Sequence, residues 1–141
     1  MTIADLKNKK IEYFVDNGID RYRRKNSAKV GDMIKIYLDN NGFFVLMDEE
    51  FKFVGYLDVV DADSIKKLLD NYNSYKDKTI QEILDSKELL LRVKTIEANT
   101  SVIETIEKLD CSKQIYFPVV KNGFLVGRVS KDILKKKLEE F

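Results

Sequence analysis

The feature that most constrains this chain is an internal repeat, in which one order of helix, strand and turn signals occurs twice. The pair Val54–Gly55 recurs 72 positions later as Val126–Gly127. At the same spacing, three residues of the first half recur in kind, as Val30 with Val102, Asp32 with Glu104, and Ile34 with Ile106. A shared order of features is harder to obtain by chance than any single match. The sequence therefore predicts two copies of one supersecondary unit.

Each copy opens with a segment that is typical of a helix. Thr2–Leu6 resembles Thr79–Ile83, and the predicted opening helices run from Ile3 to Asp16 and from Thr79 to Lys87. Between the copies, Asn71–Lys78 is polar and poor in apolar residues. We predict a first repeat at 1–73, a linker at 74–78 and a second repeat at 79–141.

The second copy has the clearer local signals. Asn122-Gly123 separates two apolar runs and predicts a hairpin with a type I′ turn. Ser130 then fits an N-cap, and Asp132 in the first helical turn adds a favourable charge. The remaining predicted elements are a strand at Leu91–Ile96 and a helix that begins at an Asn99 or Thr100 cap.

The first copy follows the same plan with a helix at its centre. Apolar side chains recur there at helical spacing, as Val30, Met33, Ile34, Tyr37 and Leu38. An Asn26 or Ser27 cap is expected before that helix. The flanking predictions are strands at Ile19–Lys25, Phe43–Met47 and Phe51–Leu57, and a helix from about Asp61. Each half thus fits a three-stranded sheet with helices on one face, an α/β fold.

Composition excludes several classes of protein. The 141 residues are 44% hydrophobic and 35% charged, which is typical of a globular chain. No apolar run reaches the roughly 18 residues of a membrane span, and the charged N-terminus lacks a signal-peptide core, so we expect a cytoplasmic protein without a membrane partner. A net charge of +1 gives no general attraction to nucleic acid.

The chain contains no histidine and one cysteine, Cys111. Without histidine, Ser-His and Cys-His nucleophile pairs and most acid–base shuttles at neutral pH are excluded. We interpret Cys111, just after a helix, as a small buried hydrophobic residue. No catalytic constellation is visible, and we therefore expect a protein that is not an enzyme.

In order and kind of elements the chain resembles a tandem pair of CBS (cystathionine β-synthase) domains, the Bateman module. The resemblance is carried by FPVVKNGFLVGRVSKDIL at 117–134, with its proline–valine strand, turn, glycine and Ser…Asp run. FFVLMDEEFKFVGYLDVVD at 43–61 keeps the frame with less of the signature. The resemblance implies two pseudo-symmetric repeats packed as one disc, and adenine nucleotides bound in clefts between them.

The family's ligand motif is a glycine, a Ser or Thr three residues on, and an Asp three beyond that. Gly127 and Ser130 match it, while Asp132 comes one residue early. The resemblance implies further ligand contacts from Thr95, Ile96, Pro118, Val119 and Arg128. From the residues alone a second interpretation stays open, with Gly127 allowing close packing, Ser130 only capping a helix, and Asp132 only serving the helix dipole.

The first copy offers weaker candidates for a ligand site. Gly55, Asp58 and Asp61 have the spacing of the motif, but a carboxylate at Asp58 repels phosphate and donates no hydrogen bond. We therefore interpret Asp58 and Asp61 as helix caps rather than ligand or cation contacts. Arg23 and Arg24, in the one basic cluster, are either phosphate contacts or the charged face of an edge strand.

The predicted function is regulatory sensing. The resemblance implies a possible AMP, ADP, ATP, cyclic di-AMP or S-adenosylmethionine ligand at the second repeat, a homodimer, and an output to an effector protein. The alternative is a ligand-free dimerisation or docking module, favoured by the degenerate first motif and the early Asp132. The many Lys, Ile and Asn residues indicate an AT-rich bacterial genome.

Overall fold

The computed structural model describes residues 2–140, except for the side chain of Ile3, so Met1 and Phe141, the last residue of the predicted second repeat, lie outside it. It contains two three-stranded sheets and helices between the strands, which confirms the predicted α/β class. The α-helices are α1 (Ile3–Asn8), α2 (Val30–Asp39), α3 (Ala62–Asp70), α4 (Tyr72–Tyr75), α5 (Ile80–Asp85), α6 (Val102–Asp110) and α7 (Lys131–Leu138). The strands are β1 (Arg23–Lys25), β2 (Phe44–Met47), β3 (Phe53–Leu57), β4 (Ile96–Glu97), β5 (Phe117–Lys121) and β6 (Phe124–Val129).

The two sheets have the same topology. In the first, β1 pairs parallel with β2, and β2 pairs antiparallel with β3. In the second, β4 pairs parallel with β5, and β5 pairs antiparallel with β6. Even the irregular step of the antiparallel pair falls at matching places, Leu46/Met47 and Val119/Val120. The repeat read from the sequence is thus a repeat of structure.

The chain divides into two compact units that do not coincide with the sequence repeats. One unit combines Met1–Ile19 with Lys94–Phe141, and the other is Asp20–Val93. The boundaries predicted at 74–78 therefore remain a prediction about sequence repeats. Residues of that stretch lie inside the second unit, where α4 forms and Val30 N donates to Lys78 O at 2.9 Å.

The division arises because the opening helix of each repeat lies in the unit of the other repeat's sheet. Beside α6, Ile11 N donates to Thr100 O at 2.8 Å and Val102 N donates to Lys9 O at 2.9 Å. Beside α2, Ile80 N makes the equivalent bond to Ala28 O at 2.9 Å. These bonds satisfy free backbone groups at the starts of the helices. The same pattern of bonds therefore joins an opening segment to the start of the central helix in each unit.

These tertiary bonds also correct several predicted elements. The helix predicted from Ile3 to Asp16 ends at Asn8, because residues 9–11 give their backbone groups to residues 100–102, and a 3₁₀ turn follows at Ile11–Tyr13. The strand predicted at Leu91–Ile96 is limited to β4, because Arg92 pairs with Tyr56 of the other sheet instead. The strand predicted at Ile19–Lys25 begins as a 3₁₀ turn, Ile19–Arg21, before β1.

Several local predictions are confirmed. Asn122 and Gly123 have φ values of 54° and 84°, as a type I′ turn requires. Ser130 caps α7 through its side chain, and Thr79, predicted as the first residue of its helix, caps α5 instead. Other caps were misassigned, since Ser101 rather than Asn99 or Thr100 caps α6, and Lys29 precedes α2 without a side-chain cap.

Each unit buries its own apolar side chains. In the unit built on β4–β6, the core contains Ile11, Phe14, Val15, Ile96, Ala98, Val102, Leu109, Phe117, Val119, Val129 and Leu134. In the other unit, Tyr22 and Phe43 pack edge to face at 5.3 Å between ring centres. Two side chains expected inside are exposed, Leu38 of α2 and Cys111, the residue that follows α6. No helix within residues 2–140 is long and apolar enough to span a bilayer.

Candidate functional site

The candidate site lies at one edge of the second sheet. Parallel strands begin at the same edge, so β4 and β5 start together, and the antiparallel β6 ends there. Thr95 precedes β4, Gln114 lies just before β5, and Ser130 follows β6. The topology therefore gathers polar residues from three distant parts of the sequence.

Two concave surfaces lie at this edge. A cavity of about 270 Å³ is lined by Leu109, Ser112, Lys113, Gln114, Ile115, Ser130, Lys131 and Asp132. A groove of about 550 Å³ shares Ser112 and Gln114 with it and is also lined by Lys94, Thr95, Ile96, Glu104, Glu107, Lys108, Cys111 and Phe117. Together they present hydroxyls, an amide, four ammonium groups and the carboxylates of Glu104, Glu107 and Asp132, a lining that suits a polar ligand.

Ser130 is the most enclosed polar group of this cavity. The residue is 3% exposed, and its Oγ accepts from Ile133 N at 3.1 Å at the start of α7. Lys131 and Asp132 are exposed beside it, and Lys131 Nζ lies 2.8 Å from Asp110 Oδ1. The cavity thus joins a hydroxyl, a helix N-terminus and an exposed ammonium group, which could together hold a phosphate.

Of the remaining ligand candidates in the second repeat, some line the groove and others are buried away from it. Thr95 and Ile96 line the groove. Pro118 and Val119 are buried in β5 and line neither the cavity nor the groove, and Val119 belongs to the core. Gly127 packs against residues 15 and 16, because a Cβ there would lie 2.5 Å from Val15 Cγ2 and 2.8 Å from Asp16 O.

Residues 14–17 form what we call the strap, which crosses the end of β6. Asp16 N donates to Arg128 O at 2.9 Å, and Arg128 N donates to Asp16 O at 3.1 Å. The side chains pair as well, with Arg128 Nε 3.1 Å from Asp16 Oδ2. The Arg128 guanidinium lies 4.3 Å from the centre of the Tyr116 ring, and its side chain is 5% exposed. Arg128 is therefore directed to the strap and does not line the cavity as the family resemblance implied.

The first repeat has a different set of contacts at the equivalent place. Asp58 stands where Ser130 stands in the second repeat and is completely buried. Its carboxylate accepts from Val60 N, while Asp58 N donates to Asp61 Oδ2 at 2.9 Å in a capping box. Asp58 thus caps the 3₁₀ turn Val59–Asp61, as interpreted, whereas Asp61 closes that capping box and makes no side-chain cap bond to α3. A carboxylate in this position would repel a phosphate.

Asp61 also forms an ion pair with Arg92 of the same unit. Arg92 Nε lies 2.8 Å from Asp61 Oδ2, and this hydrogen bond raises the pKa of Arg92. Gly55 is packed like Gly127, since a Cβ there would lie 2.7 Å from Leu91 Cβ. Within residues 2–140, no group of three His, Cys, Asp or Glu side chains is placed to hold a metal ion.

The two arginine candidates of the first repeat both contact Asp20, and Arg24 also lines a groove. Arg23 pairs with Asp20 at 2.8 Å, and Arg24 Nη1 donates to Asp20 O at 2.8 Å. Arg24 lines a groove of about 630 Å³ beside α2, together with Arg21, Asp32, Lys35, Ile36, Asp39 and Asn40. This groove is the first-repeat counterpart of the 550 Å³ groove, but Gly55, Asp58 and Asp61 are absent from its lining.

Tyr37 provides a pH test of this polar cluster. Its hydroxyl donates to Asp58 O at 2.8 Å, and burial, followed by the charges of Asp61 and Asp58, raises its pKa to about 12. The folded state thus holds this proton more tightly than the unfolded state, so its stability contribution is complete below pH 10 and is lost as the pH rises toward 12.

We expect the urea midpoint of the native protein to fall between pH 10 and 12 more steeply than that of Tyr37→Phe. Tyr13→Phe, at a phenol that is 69% exposed, is the matched control and should keep the native slope. Parallel slopes in all three proteins would contradict the buried environment of Tyr37.

Sequence reasoning missed Lys113, Gln114 and Lys131, because no motif marks them. One signal was available for Gln114. Because β5 runs parallel to β4, residues shortly before β5 lie at the same edge of the sheet as Thr95, which precedes β4. The strap was missed because Asp16 and Arg128 are 112 residues apart in sequence.

No protein-family model matches the sequence, and no curated protein matches it in sequence. Many solved structures match the fold, with 232 chains found. CBSX2 in complex with AMP is 15% identical, with a TM-score of 0.68 over 93% of this chain and 96% of that one. CbpB in complex with c-di-AMP is 10% identical, with a TM-score of 0.67 over 97% and 89%.

The CBS domain pair of protein MJ0100, in complex with 5′-methylthioadenosine and S-adenosyl-L-methionine, is 19% identical, with a TM-score of 0.64 over 94% of this chain and 97% of that one. These similarities cover nearly the whole chain. The chain therefore has the fold of a tandem pair of CBS domains.

Proposed function

We propose that this protein is a non-enzymatic regulatory module that binds one adenine nucleotide or related adenosyl ligand at the cavity beside Ser130. The observation that carries the proposal is the meeting of Thr95, Gln114 and Ser130 at one sheet edge in a fold whose solved examples hold AMP, c-di-AMP and S-adenosyl-L-methionine. Ser130 and the N-terminus of α7 would hold a phosphate, and the groove beside Thr95 would take the base.

The expected stoichiometry is one ligand per chain. In the first repeat, the buried carboxylate of Asp58 stands in place of the hydroxyl, and Asp61 is paired with Arg92. A phosphate there would meet two negative groups and lose the donor that Ser130 supplies in the second repeat. We accordingly propose that only the second repeat binds a phosphorylated ligand.

Signalling follows from the ligand's preference for one conformation. A ligand shifts a protein between arrangements only as far as it binds one of them more tightly. We propose that the protein acts as a homodimer in the cytoplasm and passes this shift to an effector protein. The docking module without a ligand is the outcome that a negative ligand screen would support.

Ser130→Ala is the decisive variant for the site. It removes a cap, which costs about 1 kcal/mol of stability, and it also removes the hydroxyl of the cavity. We expect ligand affinity to fall at least tenfold, which is about 1.4 kcal/mol of binding free energy. The measurement is isothermal titration calorimetry with the ligand that gives the largest thermal shift among AMP, ADP, ATP, cyclic di-AMP and S-adenosylmethionine.

Ser101→Ala is the matched control for that variant. Ser101 caps α6 of the same unit with the same type of bond, from Glu104 N at 3.2 Å, and does not line the cavity or the groove. It should lose similar stability and keep native affinity. Equal affinities in both variants would reject the site, and no thermal shift with any compound on ligand-free protein would reject the proposed function.

A further inference from the structure

The partly buried ion pair between Asp16 and Arg128 lies next to the proposed site. Arg128 and Ser130 are two residues apart on an extended backbone, so their side chains lie on the same face, roughly 7 Å apart along the strand. Tyr116, under the guanidinium, directly follows Gln114 and Ile115 of the cavity lining. Arg128 is thus the nearest buried cation to the hydroxyl that would hold a phosphate.

The present partner of this cation is a carboxylate of the strap. Arg128 Nε meets Asp16 Oδ2 at 3.1 Å, and the Asp16 side chain is 23% exposed while that of Arg128 is 5% exposed. A guanidinium binds phosphate and carboxylate through the same forked donors, and a phosphate carries more negative charge and more acceptor oxygens. A phosphate at Ser130 and the carboxylate of Asp16 therefore compete for one cation.

We propose that Asp16 sets the affinity of the site for phosphorylated ligands by holding Arg128 in the ligand-free state, and that binding exchanges Arg128 from Asp16 to the ligand phosphate. This inference rests on the proposed function. Its consequence is regulatory, because the exchange removes the side-chain bond between the strap and β6 when a phosphate binds. A bound phosphate therefore loosens the strap, while an uncharged nucleoside leaves the bond between Asp16 and Arg128 intact.

The experiment compares AMP with adenosine in native protein, Asp16→Asn and Arg128→Lys. Asparagine keeps the size of the side chain and removes its charge. We expect Asp16→Asn to bind AMP roughly tenfold more tightly than native protein, within the usual range of coupling between sites, with adenosine affinity unchanged. Arg128→Lys should reduce the preference for AMP over adenosine, because lysine lacks the fork.

Glu12→Gln is the matched control for the change of charge. Glu12 is in the same unit and pairs with Lys121 at 3.2 Å, away from the cavity lining. It should leave the preference for AMP over adenosine as in native protein. An equal gain in this variant would mean that net charge, and not Arg128, sets the affinity, and would overturn the inference.

A second measurement needs no Asp16 variant, so it covers the case in which Asp16→Asn folds poorly. The Nε–H resonance of Arg128, assigned by its loss in Arg128→Lys, should shift with AMP and stay in place with adenosine.

Two results would overturn the inference and leave the proposed function intact. One is a resonance that AMP does not move. The other is an AMP affinity that is unchanged in Asp16→Asn while Ser130→Ala still weakens binding. If only uncharged adenosyl compounds bind, the inference also fails and the function stands. If none of the compounds binds native protein, both fail.

Discussion

Asp16→Ala is expected to destabilise the protein by about 1.5–3 kcal/mol, the range for a hydrogen bond to a charged group. The loss arises because the Arg128 side chain, 5% exposed, would lose the carboxylate that lies 3.1 Å from its Nε. Arg128→Met should cost less, since the Asp16 side chain is 23% exposed and water can solvate its charge. Urea unfolding of both variants measures the difference.

The double variant Asp16→Ala/Arg128→Met completes the cycle. With both charges removed, no unpaired charge remains, so we expect it to be more stable than Asp16→Ala alone. The coupling free energy from the four proteins isolates the pair. Additive losses would show that the two side chains do not interact in solution, contrary to the 3.1 Å contact.

The second large effect is expected from Gly127→Ala. The new Cβ would lie 2.5 Å from Val15 Cγ2 and 2.8 Å from the backbone oxygen of Asp16, so the strap must move away from β6. Overpacking of this kind costs about 1–3 kcal/mol, and a backbone contact is the least able to yield. Thermal and urea unfolding should both show the loss.

Two further substitutions serve as comparisons, one at a crowded glycine and one at an open glycine. Gly55→Ala meets Leu91 Cβ at 2.7 Å in the other unit and should lose a comparable amount. Gly123→Asn meets nothing within 4 Å at the Cβ position, and asparagine tolerates the φ of 84°, so its loss should be small. Native stability in Gly127→Ala would mean that the strap is not packed on the strand.

The same glycine shows why a motif in sequence does not define a function. Gly127 matches the ligand motif of the family, yet its lack of a side chain is explained by the strap that crosses it. Ser130, three residues on, lines the cavity and caps α7 at once. Only variants that separate these effects, such as Ser130→Ala against Ser101→Ala, can assign the role.

The sequence by itself determined the features that depend on neighbours along the chain. The Asn122-Gly123 turn, the Ser130 cap and the matching order of the two repeats follow from backbone preferences and bonds within about four residues. Such interactions are the same wherever the segment lies, and for that reason they could be predicted without a structure.

Only the tertiary structure decided which distant groups meet. The opening helices lie in the units of the opposite repeats, Arg128 turns to Asp16 rather than to the cavity, and Lys113, Gln114 and Lys131 join the site. Each of these depends on residues that are far apart in sequence, and their contacts are fixed by how the sheets and the strap pack. A charged side chain takes the partner that burial places beside it, and no local pattern records that choice.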